Sequence, residues 1–90
     1  MCMEIEWHSD KALANRTKHG VEFEEAATCL LDPNALAFED GSAEDESRWI
    51  LVGLSAKPRL LTVVYTVRDE ERIRLISARK ATRKEAKSYA

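Results

Sequence analysis

Cysteine, proline and glycine are scarce, at two, two and three in 90 residues. Cys2 and Cys29 form no CxxC motif, and no His/Cys cluster has zinc-ligand spacing, which excludes a zinc knuckle and a disulfide-stapled scaffold. We read Cys29 as a small helix residue and Cys2 as part of a fraying terminus. No Gly-rich phosphate loop, Ser-His-Asp pattern or aspartate metal cluster is present, so neither a metal nor a cofactor is expected. No apolar run approaches the roughly 18 residues of a membrane span. The first residues, MCMEIEW, lack the basic and apolar regions of a signal peptide, so the expected location is the cytoplasm, with no membrane contact.

What remains is a globular balance, 44% hydrophobic and 33% charged. It suits one domain with a small core. The net charge of −2 hides an asymmetry. Residues 1–46 carry 3 Lys/Arg against 12 Asp/Glu, a balance of −9, and residues 47–90 carry 11 against 4, a balance of +7. A chain halved in this way can present a basic face, unless the two halves mix in space and cancel.

Met3–Trp7 alternates as a short strand. Ser9 or Asp10 can cap a helix over Lys11–Lys18, which Gly20 ends in the left-handed conformation. Lys18 and His19 then lie in the last turn, where cations suit the helix dipole. A second helix has Phe23, Ala26, Ala27, Leu30 and Leu31 on one stripe, and Asp32-Pro33 stops it. Ala35–Phe38, Ser47–Leu54, Arg59–Arg68 and Arg72–Ala78 read as strands, with residues 39–47 an acidic loop. Thr82 and Glu85 form a capping box opening a last helix whose apolar face is only Ala86 and Tyr89. The order β-α-α-β-β-β-β-α predicts an α+β domain, an antiparallel sheet of four to five strands covered on one face.

Candidate chemistry gathers at the hairpin VYTVRDEERIRLI. An odd loop at Asp69–Glu71 would pair Arg68 with Arg72, Thr66 with Arg74 and Val64 with Ile76, keeping the apolar residues together. A two-residue loop would mix the faces. Three arginines would then crowd one exposed face, which suits an anion unless Asp69, Glu70 and Glu71 neutralise them. By alternation Arg79 falls on the opposite parity from Arg74, unless a bulge turns it round. Trp7 and Trp49 read as core, and nothing places His8 with His19.

The run Trp7, Lys11, Asn15, Lys18, His19, Gly20, Val21, Phe23, Glu24, Glu25, Ala26 has the pattern W-x-x-x-K-x-x-x-N-x-x-K-H-G-V-x-F-E-E-A. With FED, RWILVG, VVYTVR and IRLISARKATRKEAKSY, it resembles the BrnT ribonuclease toxins of type II BrnT/BrnA toxin–antitoxin systems, from Trp7 to Tyr89. One departure is His8, where that family usually has Asp. The resemblance implies a RelE-like fold and metal-independent RNA cleavage that blocks translation. It also implies a ribbon-helix-helix antitoxin, BrnA, in a complex built on an antitoxin dimer that alone brings the toxin to operator DNA. Lys18 and His19, matching the KHG motif, become candidates for proton transfer, since imidazole titrates near neutrality. Arg68, Arg74 and Arg79 would hold the phosphate, with Arg72, Arg48 and Tyr89 binding RNA. The expectation is one cleft in which arginines from neighbouring strands meet the Lys-His elbow. A catalytically inactive homologue that binds antitoxin or nucleic acid is the alternative.

Overall fold

Apolar alternation and a few breaking residues set the elements. The computed structural model describes residues 4–41, 48–69 and 71–89. They run β1 (Glu4–Glu6), α1 (Ser9–His19), α2 (Phe23–Cys29), β2 (Leu36–Glu39), β3 (Arg48–Leu54), β4 (Leu60–Asp69), β5 (Arg72–Lys80) and α3 (Arg83–Tyr89). The expected order is met. Cys2, Glu70 and most of the acidic loop, residues 42–47, lie outside the described residues.

The five strands form one sheet in the order β1-β5-β4-β3-β2. It is antiparallel from β2 to β5, and mixed because β1 joins β5 in parallel, pairing Glu4–Glu6 with Arg72–Arg74. Helices α1 and α2 cover one face over a core of Val21, Phe23, Ala26, Cys29, Leu51, Leu61, Val63, Tyr65, Ile73, Leu75 and Ala78. Trp7 and Trp49 pack against it, Trp7 edge-on to Phe23 with centroids 5.9 Å apart. Gly53 permits a close approach of the α2 end to β3, because a Cβ there would lie 3.1 Å from the Cys29 carbonyl and 3.0 Å from a Leu51 methyl. Burial pushes the free Cys29 thiol up to about 12, so it is a packing residue rather than a nucleophile.

Three expectations are corrected. Neither Ser9 nor Asp10 caps α1: its N-cap is His8, which makes no side-chain capping bond, and Ser9 and Asp10 lie inside the first turn. α2 ends at Cys29, so Leu31 leaves the stripe and is 78% exposed. The cause is Asp32, whose carboxylate accepts the Asn34 and Leu54 N–H groups and turns the chain toward β2. The second sheet face is not bare. α3 lies against it through Glu85, which binds Thr62 and Arg79, and Val52, Thr62 and Thr66 are buried there. As its thin apolar face implies, α3 buries no residue fully, and Tyr89 Oη donates to Asp32 Oδ2 at 2.6 Å.

Glu25 lies outside the apolar stripe of α2, yet its side chain is 3% exposed. Arg59 Nε and Nη2 donate to its two oxygens at 2.7 and 2.6 Å, and Ser55 Oγ donates to Oε2. These charge-assisted bonds, the Arg59 guanidinium first, hold the carboxyl down at about 2. They clamp α2 to the β3–β4 connection, and Arg59 also reaches the Gly20 carbonyl at 3.5 Å.

No helix among the described residues is long and apolar enough to cross a membrane.

Candidate functional site

Gly20 ends α1 as its glycine predicts, at φ 70°, with its N–H on the Arg16 carbonyl. Asn15 then sets where the helix sits. Its Nδ2 donates to the Val21 and Ala78 carbonyls at 3.0 and 2.8 Å, and its Oδ1 accepts the Ala78 N–H at 3.0 Å. The carboxamide thus imitates a neighbouring strand on the β5 edge that β1 covers only as far as Arg74. This role was not legible in the spacing, because an asparagine inside a helix reads as a solvent residue.

Docked this way, α1 turns Lys11, Ala14 and Lys18 toward β5. They line a cavity of about 340 Å³ together with Asn15, His19, Ile76 and Ser77. Lys18 is exposed and His19 half-buried. Two ammonium groups, an imidazole and a hydroxyl share one opening, a set that attracts an anion and can move a proton. Lys11 and Ser77 were missed as site residues. The i, i+7 spacing of Lys11 and Lys18 was the available signal for the first. His8 and His19 sit at opposite ends of an 11-residue helix, about 16 Å apart, and form no pair.

The arginines lie across the sheet. Thr66 pairs with Arg74, Val67 with Ile73 and Tyr65 with Leu75, as the hairpin arithmetic required. Arg68 does not pair with Arg72, nor Val64 with Ile76. Asp69 pairs with Arg72, and Val64 with Ser77. The Asp69 carboxylate accepts the Glu71 N–H at 2.9 Å and tightens the turn. A tighter turn alone would flip the faces. Arg68 is the extra residue that restores them, in a bulge between Val67 and Asp69. A second irregularity at Ile76 changes the parity of β5, so Ala78 enters the core while Arg79, opposite Thr62, shares a face with Arg74, opposite Thr66.

This face carries the cross-strand rows Arg48–Thr66–Arg74, Ile50–Val64–Ser77 and Val52–Thr62–Arg79. Arg72, Arg74 and Arg79 on it have carboxylate partners. Glu6 accepts Arg74 Nε at 2.9 Å and lies 3.5 Å from Arg72, which also reaches Glu4 at 3.6 Å. Glu85 takes both terminal nitrogens of Arg79 at 2.8 and 2.9 Å, and that guanidinium holds the Glu85 carboxyl down at about 2. The acidic half of the chain thus supplies counter-ions to the basic half at β1.

The structure therefore brings Lys18 and His19 together, and gathers Arg48, Arg74 and Arg79 on one face. None of the arginines lines the elbow's cavity. The two groups meet at Ser77, which lines the cavity and lies between Arg74 and Arg79 along β5. Arg68 and Arg72 stand exposed at the hairpin end. Tyr89 is bound at the Leu54 end of β3, about 20 Å along the strand from Arg48. Among the described residues, no group of three or more His, Cys, Asp or Glu could hold a metal ion.

Residues 7–85 match a family model described as ribonuclease toxin, BrnT, of type II toxin–antitoxin system. The fold is similar to the crystal structure of the Brucella abortus ribonuclease toxin, BrnT, with a TM-score of 0.70 over 90% of this chain and 99% of that one, at 24% identity. No curated protein sequence is significantly similar.

Proposed function

Because this chain belongs to the BrnT family of ribonuclease toxins of type II toxin–antitoxin systems, we propose that it is a metal-independent endoribonuclease whose reaction centres on the α1–β5 cavity. The observation that carries this reading is the placement of Lys11, Lys18 and His19 around one opening beside Ser77. Cleavage at an RNA phosphodiester needs a base for the 2′-OH proton, cations for the phosphorane and an acid for the leaving 5′-oxygen. His19 and Lys18 carry the proton transfers, and Lys11 adds positive charge to the same wall. Arg68, Arg74 and Arg79 hold phosphates of a strand that crosses the β5 edge at Ser77, with Arg48 and Arg72 binding RNA beside them. Tyr89 offers a ring for stacking where the strand leaves toward α3. The 2′-OH is the nucleophile, so DNA is inert.

The test is incubation of the pure protein with a defined RNA in EDTA, followed by mapping of the cleaved ends. The reading requires 2′,3′-cyclic phosphate and 5′-hydroxyl ends, no cleavage of the 2′-O-methyl analogue, and large losses for His19→Ala and Lys18→Ala. Full activity in both variants removes the elbow from the mechanism. A silent wild-type protein leaves the second reading, an inactive homologue that pairs with an antitoxin. That reading draws on the capture of Arg74 and Arg79 by Glu6 and Glu85.

In a cell, cleavage would stop translation, and a ribbon-helix-helix antitoxin of the BrnA kind would neutralise it, in a complex built on an antitoxin dimer that alone contacts operator DNA. The edge strand β2 supports a partner surface, since all four of its residues are exposed, Phe38 at 48% and Leu36 at 39%. Co-purification with the neighbouring gene product and loss of growth arrest on its co-expression test this.

A further inference from the structure

Two buried side-chain atoms among the described residues have no hydrogen-bond partner, Arg48 Nε and Thr66 Oγ1. They belong to residues paired directly across β3 and β4. Thr66 is 1% exposed. A buried polar group without a partner has lost its hydration and gained nothing in exchange, and native proteins rarely keep one without a use for it. Here there are two side by side, and each has a proton to donate. On its other side Thr66 is opposite Arg74, so one buried hydroxyl lies between two guanidinium-bearing residues on one sheet face. Directly opposed residues have Cβ atoms about 5 Å apart, a span that one phosphate group bridges.

We propose that the row Arg48–Thr66–Arg74 is a phosphate-oxygen subsite for the RNA backbone: both donors are closed off from solvent, and a swing of the half-buried Arg48 side chain uncovers them, so that Arg48 Nε and Thr66 Oγ1 donate to one non-bridging oxygen beside the Arg74 guanidinium. The set offers donors and positive charge, the complement of a phosphodiester. The half-buried Ile50–Val64 pair continues the same face toward Ser77, an apolar surface along which a nucleotide can lie between this subsite and the elbow cavity. The proposal rests on the ribonuclease reading for its choice of RNA over an acidic protein segment. Thr66 binds and positions; it takes no part in proton transfer.

The test is binding of a non-cleavable 2′-O-methyl RNA by the full chain and its Thr66→Val, Thr66→Ser and Arg48→Gln variants, with melting temperatures alongside. Thr66→Val is expected to weaken binding about fivefold to tenfold while melting at or above the wild-type temperature, because it removes an unpaired buried hydroxyl. Thr66→Ser restores binding. Arg48→Gln weakens it further and lowers the slope of log K against log salt by about 0.7. Wild-type affinity in Thr66→Val overturns the proposal, as does a lower melting temperature with affinity intact. Displacement of the oligonucleotide by a polyglutamate peptide at lower concentration than by phosphate also overturns it, assigning the row to an acidic protein partner. A wild-type protein that binds the analogue through Thr66 yet cleaves no RNA keeps the subsite and loses the ribonuclease reading. Cleavage with Thr66→Val affinity unchanged does the reverse.

Discussion

Replacing Glu25 by glutamine tests whether the clamp under α2 carries the stability of the whole elbow. The carboxylate has a side chain 3% exposed and accepts Arg59 Nε, Arg59 Nη2 and Ser55 Oγ. Its descent from an ordinary 4.5 to about 2 corresponds to roughly 3 kcal/mol at 1.36 kcal/mol per pH unit. Glutamine keeps the shape and the Ser55 bond but leaves Arg59 facing a neutral amide. Arg59 is 31% exposed, so water offsets part of the loss, and the net cost is about 2–3 kcal/mol at pH 7. A domain of this size has a total of roughly 5–13 kcal/mol. The sign with pH follows from a folded-state value below the unfolded one. The contribution is complete above about 4.5 and is lost as pH falls toward 2, so the gap between wild type and Glu25→Gln closes over that window. Urea unfolding followed by circular dichroism at pH 7, 5, 4 and 3 measures it. A cycle with Arg59→Met should give a coupling of at least about 1.5 kcal/mol at pH 7. A gap under about 0.5 kcal/mol, or one that does not change with pH, would refute the clamp.

His8→Asp supplies the side-chain cap that α1 lacks and should raise stability by about 0.5–1 kcal/mol in thermal melts. Asn15→Ala orphans the Ala78 N–H and two carbonyls and should cost about 2–4 kcal/mol, a fall in Tm of more than about 10 °C. Glu85→Gln weakens the fork to Arg79, which is 40% exposed, so its cost is smaller, about 1–2 kcal/mol. Amide exchange across Arg83–Tyr89 should quicken with it, while exchange in α1 stays unchanged.

The element order was readable because it rests on local signals. Gly20 requires a left-handed stop, Thr82 and Glu85 reciprocate as a capping box, with Glu85 Oε1 on the Thr82 N–H and Thr82 Oγ1 on the Glu85 N–H, and β4 alternates. What escaped depends on partners distant in sequence. Glu25 reads as a solvated helix residue until Arg59, 34 positions away, is beside it. Asn15 gains its role only when Ala78, 63 positions on, presents an unpaired strand edge. The helix stripe overran at Leu31 because Asp32 bonds to Leu54, a contact no local pattern contains.

The hairpin shows how far burial alone can decide a register. Burial argued for an odd loop; the chain forms a tighter turn and still keeps Val67 with Ile73 and Tyr65 with Leu75, by placing one extra residue at Arg68. The core thus selects parity, and the turn and bulge are two ways to satisfy it. A second irregularity at Ile76 has a larger consequence for function. Without it Arg79 would lie among the helices and Ala78 would face α3. With it Arg79 joins Arg74, and Ser77 comes to the β5 edge where the elbow's cavity opens. Deleting Ile76 would therefore uncouple the arginine face from the Lys-His elbow more completely than removing any single cation. The local geometry of β5, rather than the count of basic residues, decides whether the two can act on one strand of RNA.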